Sequence, residues 1–463
     1  MKTIAAPRHG APPVLPLPAD SRPAVSVVSA AYGLLVLIIA TVLAAVNRQI
    51  LILLADPMRH ALALSDTKLG LLQGVGITLF AGLAAVPIGW LADRYGRRLL
   101  LALCVLVWTG ATAACGFAVD FQSLLLATIG LGLGEAGLAP IVYGMLPDIV
   151  PERRRVMANG IYALAAILGA GLGIALSGRL IASLQGLRPL LPAALQGLDD
   201  WRLAFVVVGA PGPLVSLLIL LVRVRPAGSV ADSDSAASRV GVAAYLRANL
   251  RTVVGLFGGT GLAQLGLAAL ANWVPVVVAR SFGASAVQIG QGIGGAYLAG
   301  TVAGAAFGAL TVRKLGRRLG VATPMRVLAI GLAVGAIAAL LMLAAHSALQ
   351  IYLLFALQVA SMIAGSVLVP TLLQDMTPAA LRSRVIAVGT LVAVGLSSLS
   401  PVLVGLLSDA LQPMPQALLV AAAAVSAASL ALGSVLMKSA EAAFVRTVQR
   451  YHPELADADQ TTR

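Results

Sequence analysis

Charged residues are few, 11% of this 463-residue chain against 59% hydrophobic ones. That ratio leaves too little polar surface to coat a water-soluble domain, which excludes a soluble enzyme or binding module. Cysteine is nearly absent: Cys104 and Cys115 sit eleven positions apart in one apolar run, about 16 Å along a helix and too far to pair. No disulfide framework is available, and the compartment cannot be read from cysteine usage. Four histidines without clustered acids leave no metal site of sensible ligand type. A phosphate-cradling glycine loop is also missing, so neither ATP nor another nucleotide is the energy source, and no cofactor is expected. Residues 1–24 lack the apolar core and cleavage site of a signal peptide; rich in proline and polar, they are expected to form a disordered cytoplasmic N-tail.

What fills the chain instead is a series of apolar runs. A helix needs roughly 20 apolar residues to cross a hydrocarbon core of about 30 Å. Twelve such runs are present, near 27–54, 68–92, 98–118, 123–147, 154–184, 201–222, 250–279, 287–312, 323–345, 348–374, 380–408 and 415–438. The fold class expected is therefore an all-α polytopic membrane protein with the bilayer as its solvent. Basic residues outnumber acids, 32 to 18, for a net charge of +14. Their distribution argues against a nucleic-acid partner. With an inside N-terminus, only Arg59, Lys68, Arg179, Arg188, Arg202 and Arg280 fall on the outer side, and Arg48 lies within a span; the rest gather on the inner side. The positive-inside rule then puts both termini in the cytoplasm and the protein in a cytoplasmic (inner) membrane.

The polar stretch from Ala227 to Gly241 falls at the middle of the twelve runs. It marks a cytoplasmic linker (226–248) between six-helix halves at 25–225 and 249–445, with 446–463 as a cytoplasmic C-tail. The halves match each other at an offset of 220 residues: Ser65, Gly70, Gly74, Gly96, Arg97 and Arg98 face Ser285, Gly290, Gly294, Gly316, Arg317 and Arg318. They differ where Asp93 faces Arg313. Gly300, Gly304 and Gly308 share one face of the eighth run, a spacing that lets helix backbones approach closely in lipid.

The run Gly89-Trp90-Leu91-Ala92-Asp93-Arg94-Tyr95-Gly96-Arg97-Arg98 joins the second and third spans. Its pattern resembles the signature loop of the major facilitator superfamily at every defining position; the bland alternative is an arginine-rich anchor at a helix end. The resemblance implies twelve helices in two pseudo-symmetric halves, with the substrate site at the midplane between them. It also implies a gate built from Gly89, Asp93, Arg94, Gly96, Arg97 and Arg98. Asp93 is expected to meet the N-terminus of the eleventh helix near Thr377, read as an N-cap before Pro378, when the cytoplasmic side closes. Arg97 is expected to pair with Asp148 or Glu152. The fifth span lacks the Gly-Pro pair of the drug/proton antiporter subgroup.

Charge within a bilayer is costly, which makes Arg48 on the first span and Glu135 on the fourth functional candidates. The runs around them, Val46-Asn47-Arg48-Gln49 and Gly130 to Gly137, together with Leu64-Ser65-Asp66-Thr67-Lys68-Leu69-Gly70, resemble the spinster-like branch of the superfamily. Two positions depart from the branch: Asn47 stands where it usually carries Asp, and Thr128 where it usually carries Arg. One acid and one base are lost together, so net cavity charge is kept. The structural reading of Arg48 and Glu135 is a buried ion pair that only fixes helix register. Further cavity candidates are Gln73, Tyr143, Asn159 and Tyr162 in the first half, and Gln264, Asn272, Trp273 and Gln358 in the second. The function expected is secondary transport of an amphipathic or lipid-like organic solute by alternating access, with protons coupled through Glu135. Import of small organic anions, with Arg48 as counter-charge, is the alternative; a non-transporting receptor on a transporter fold is the reading from another class. The partners expected are the substrate and protons, and the oligomeric state expected is a monomer.

Overall fold

The computed structural model describes residues 27–224, 241–319, 322–366, 368–378 and 381–451. The expected N-tail, linker residues 226–240, positions 452–463 and the side chains of Glu152 and Arg313 lie outside the described residues. Twelve helices are long and apolar enough to cross a membrane: Val27–Leu53, Asp66–Tyr95, Arg97–Cys115, Phe121–Ile149, Leu168–Leu190, Asp200–Leu220, Leu250–Phe282, Ala286–Thr311, Thr323–Ala344, Ala348–Ser366, Arg384–Ala410 and Ala417–Tyr451. Each overlaps one of the twelve runs expected from sequence. No strand occurs among the described residues. The protein is an integral membrane protein, and the leucines exposed along its spans, such as Leu126, Leu217 and Leu353, face the bilayer rather than water.

Consecutive spans run in opposite directions, so the bundle has two ends, named here by Asp66 and Asp93 at the two tips of the second span. At the Asp66 end one hydrophobic cluster runs through both halves, from Ile50, Leu69 and Phe205 to Leu270, Val404 and Leu419. At the Asp93 end the core divides into two clusters, one around Trp108 and Met145 in the first half and one around Leu256 and Phe444 in the second. The halves are thus packed together at one end and parted at the other.

Glycine explains how the joined end is made. A Cβ on Gly70 or Gly74 of the second span would run into the carbonyls of Pro401 and Ser398 on the eleventh. At their repeat partners the same happens: a Cβ on Gly290 or Gly294 of the eighth span would stand 2.8 Å from the Ile174 carbonyl and 2.7 Å from the Gly171 carbonyl on the fifth. The two seams between halves are copies, each holding backbone against backbone. Along the seam of the second and eleventh spans Gly82 still lies against Val394, whereas a Cβ on Gly89 or Gly96 would meet nothing within 4 Å among the described residues. Within the second half, Gly300, Gly304 and Gly308 lie against the carbonyls of Ala356, Ala360 and Ala364, so the eighth and tenth spans pack through the stripe read from sequence.

Proline sets the breaks. The fourth span stops being helical after Glu135 and resumes at Leu138, because Pro140 has no N–H for the Ala136 carbonyl. The tenth span breaks past Ser366 and continues as Val369–Met376, with Pro370 playing the same part. Asp120 opens the fourth span through a reciprocal cap with Ser123, and the Ser123 bonds hold its carboxyl below the usual range.

Three expected boundaries differ. Thr377 is not the N-cap of the eleventh helix: it closes the preceding segment Val369–Met376, and the next helix starts at Arg382 behind Leu381. Thr377 itself is extended, and the Pro378 carbonyl accepts from the Leu381 N–H at 3.0 Å. The twelfth helix continues to Tyr451, through residues read as tail, because Phe444, Thr447 and Val448 pack one face of Ala443 to Tyr451 into the core. Residues Val242–Ala248, assigned to the linker, form a short helix whose Tyr245 is buried and donates to the Met376 carbonyl (2.5 Å).

Candidate functional site

Where the two hydrophobic clusters part, a chamber of about 280 Å³ lies between the halves. Its walls come from the first, second and fifth spans on one side and from the seventh, eighth and eleventh on the other. Arg48, Gln73, Gln264 and Asn272 supply most of its polarity, joined by Gln49, Thr78, Tyr297 and Ser397. Leu51, Ile52, Ile77, Leu267 and several alanines fill the rest. Gln73 and Thr78 reach this wall because the second span widens to π-helical turns over Leu72–Leu79, with the Thr78 hydroxyl donating to the Gln73 carbonyl at 3.1 Å. Gln73 is 5% exposed, and neither amide atom of its side chain has a protein partner. An amide left in that state costs about 1–3 kcal/mol.

Arg48 is the cation of the chamber. Its Nε and Nη2 donate to Oε2 of Glu135 at 3.3 and 3.2 Å, with the Arg48 side chain 40% exposed and that of Glu135 18%. Glu135 stands behind Arg48 rather than on the wall, at the break in the fourth span. Asn47 is buried beside them, its amide turned onto the Leu43 carbonyl at 2.7 Å. Thr128 is also buried and donates to the Leu125 carbonyl at 2.8 Å, against Gly76.

The remaining cavity candidates are placed elsewhere. Tyr162 is buried, takes a bond from Thr41 at 3.2 Å and meets Tyr143 edge-on at 5.2 Å; Tyr143 and Asn159 are exposed toward the Asp93 end. Trp273 points to a different face of the helix from its neighbour Asn272, fully buried in the apolar cluster of the Asp66 end. Gln358 donates to Ser426 at 2.8 Å inside the second half and does not reach the chamber.

A second cavity of about 300 Å³ adjoins the chamber at Gln264, which lines both. It lies within the second half and is mostly apolar, walled by Phe257, Leu328, Met362, Val369 and Leu373 with Gly389 at one side. One polar compartment and one apolar compartment therefore meet at a single amide side chain.

The joined end carries a charge cluster that local sequence patterns do not reveal. Arg280 of the seventh span grips Asp66 through two nitrogens at 3.0 and 3.1 Å and Asp56 through Nε at 2.6 Å. Asp66 also receives Ser408 at 2.8 Å and has Arg59 at 3.5 Å. Asp409, at the tip of the eleventh span, accepts from the backbone of Asp66 and Thr67 at 3.1 and 2.9 Å and from the Thr67 hydroxyl at 2.6 Å. It therefore caps the second helix from the other half. The signal available in the sequence was that Asp56, Asp66 and Asp409 fall on the side where bases are scarce, together with Arg280.

At the other end, Arg97 bonds to Asp93 (2.8 and 3.1 Å), to Asp148 (3.1 Å) and to the Gly144 carbonyl (2.6 Å). Arg98 donates to the Val222 carbonyl at 3.2 Å, and Arg94 lies over Trp90 and Tyr95. Gly96 turns the chain at φ +97°, where a side chain would be strained. All these bonds stay within the first half. Asp93 is 66% exposed, and among the described residues it has no bond to the eleventh helix in this conformation.

Similarity to known proteins agrees with this architecture. The model of the Major Facilitator Superfamily matches residues 37–401. An MFS-type efflux pump of Mycolicibacterium smegmatis is 30% identical over 200 residues, 42% of this chain and 41% of that protein. Protein spinster homolog 3 of Danio rerio is 29% identical over 236 residues, 50% of this chain and 43% of that one. The chain thus spans about two-fifths of the length of these relatives. A crystal structure of a bacterial homologue of the human lysosomal transporter Spinster, inward-facing and unoccupied, superposes with a TM-score of 0.75 at 23% identity, covering 93% of this chain and 99% of that one. Loop, repeat, fold and family model coincide: the chain belongs to the Major Facilitator Superfamily and, within it, resembles the spinster-like transporters.

Proposed function

We propose that the protein is a secondary transporter for an amphipathic, anionic or lipid-like solute, moved by alternating access between the two ends of the bundle. The observation that carries this reading is the meeting of the two cavities at Gln264. The polar chamber suits a headgroup, with Arg48 for its negative charge and the Gln73, Gln264 and Asn272 amides for its oxygens. Its apolar neighbour suits a hydrocarbon tail, whose burial contributes about 0.8 kcal/mol per methylene. The positive-inside distribution assigns the Asp93 end to the cytoplasm, so the present conformation opens inward. A small organic anion held in the polar chamber alone is the second reading, favoured by the chamber's modest size and by Arg48. Thermal stabilisation of the purified protein separates the two. Lysolipids raise the unfolding midpoint under the first reading, whereas stabilisation by small carboxylates only sinks it.

Glu135 is the coupling group in this proposal. Its ion pair with Arg48 bridges the fourth and first spans, so a movement that separates them changes the partner of the carboxylate. Glu135→Gln should abolish acceleration of transport by a pH gradient in proteoliposomes while leaving exchange measurable. A variant that responds to the gradient as the parent does makes the carboxylate structural.

A further inference from the structure

We infer a second binding site, remote from the central chamber, for the phosphate headgroup of an anionic phospholipid. It lies on the second half at the Asp93 end, where the seventh span starts beside the end of the twelfth. A pocket of about 270 Å³ there is lined by Arg247 and Arg251 from one side and Arg446 and Arg450 from the other. Each pair is spaced four residues apart, and all four side chains are exposed. Arg446 and Arg450 share one helix, where like charges at that spacing repel, and Arg247 and Arg251 face them from either side of the helix break at Asn249.

Local structure does not neutralise them. Among the described residues none of the four arginines has a carboxylate partner. Glu441, the acid on the same helix, is engaged by Arg326 at 2.7 Å and Lys438 at 2.8 Å. Arg446 and Arg450 gain something from the negative end of the twelfth helix, but Arg251 sits in the first turn of the seventh, where the helix end is positive. That turn also lacks a side-chain cap: Asn249, at the cap position, gives its amide to Tyr245 and Tyr451 instead. Four guanidinium groups therefore line one pocket, a donor set suited to an anion.

The floor of the pocket is rigid, tied by the Thr252–Thr447 hydroxyl bond at 2.8 Å. Its rim includes Leu250, 58% exposed at the point where the span enters the apolar layer. A soluble anion has no use for that leucine; a phospholipid places its headgroup among the arginines and its first methylenes beside Leu250. At this level the bilayer itself supplies phosphate at high local concentration.

The test uses the full chain in detergent, titrated with phosphatidylglycerol, with phosphatidylcholine of the same acyl chains, and with inorganic phosphate alone. Unfolding midpoints and native mass spectrometry read the binding. Phosphatidylglycerol should bind and stabilise, and the other two should not. The double variant Arg251→Ala with Arg446→Ala should weaken phosphatidylglycerol binding about 25-fold, at about 1 kcal/mol or five-fold per arginine. Arg251→Lys with Arg446→Lys, which keeps the charge, should restore most of it and guards against misfolding of the alanine pair. Arg94→Ala, at the same end but outside the pocket, should bind as the parent does. Equal affinity of parent and alanine variant overturns the site. An equal response to inorganic phosphate overturns the lipid as its occupant. Binding that emerges only when Glu454, Asp457 and Asp459 are replaced by their amides assigns the pocket to the chain's own C-terminal acids and also overturns it.

Discussion

Replacing Asp409 by Asn should release the joined end of the bundle. The carboxylate accepts three bonds at the start of the second helix, two from backbone N–H groups and one from the Thr67 hydroxyl. Asn keeps the shape and one acceptor oxygen but removes the charge. An anion at a partly buried helix N-terminus contributes up to about 2 kcal/mol, so the conformation closed at this end should lose about 30-fold in population relative to the opposite one. Arg280, Asp66 and Asp56 remain and keep the variant folded. Spin labels at Val119 and Leu349, exposed on the two halves at the Asp66 end, should move apart, while labels at Tyr95 and Lys314 should approach. Asp120→Asn is the control, an exposed acid near the same end that caps only its own helix. Unchanged distances in the Asp409 variant, or an equal change in the control, would refute the idea that a cap donated across the halves holds the end shut.

Three further outcomes are expected. Asp93→Asn should raise the share of molecules open at the Asp93 end, since an acid held here only by Arg97 and 66% exposed is available to cap the eleventh helix when that end closes; double electron–electron resonance distances there measure it. Gln73→Leu should raise thermal stability by about 1–3 kcal/mol by removing a buried amide without partners, and should abolish ligand-induced stabilisation; a variant that is less stable, or still responds to ligand, refutes the role given to that amide. Gly300→Leu should lower stability by about 1–3 kcal/mol through overpacking against the Ala356 carbonyl, read as a lower unfolding midpoint.

Much of the architecture is written locally. Apolar runs of span length, the Asp-Arg-Tyr-Gly-Arg-Arg turn and the glycines repeated at an offset of 220 each depend on neighbours within a few turns, and the seams at Gly70, Gly74, Gly290 and Gly294 follow from them. Arg48 and Glu135 were found because charge is conspicuous in an apolar run. What escaped depends on facing and distance. Asn272 and Trp273 are adjacent, yet one lines the chamber and the other the core, a matter of about 100° around a helix. Asp66 and Asp409 are 343 positions apart, and each alone reads as an ordinary end charge. Thr377 is a proper capping residue with a proline behind it, but it closes the earlier segment as its C-cap, and Leu381 stands at the cap of the helix that begins at Arg382.

The contact of Gly82 with Val394 gives the second span the mechanics of a lever. From that point Asp93 is eleven residues away and Asp66 sixteen, arms of about 16 and 24 Å at 1.5 Å per residue. A tilt of about 10° that brings the Asp93 tip in by about 3 Å then carries the Asp66 tip out by about 4 Å. The end fastened by charge moves through the longer arc, so its ion pairs rupture fully on a swing that only grazes the glycine turn at the other tip.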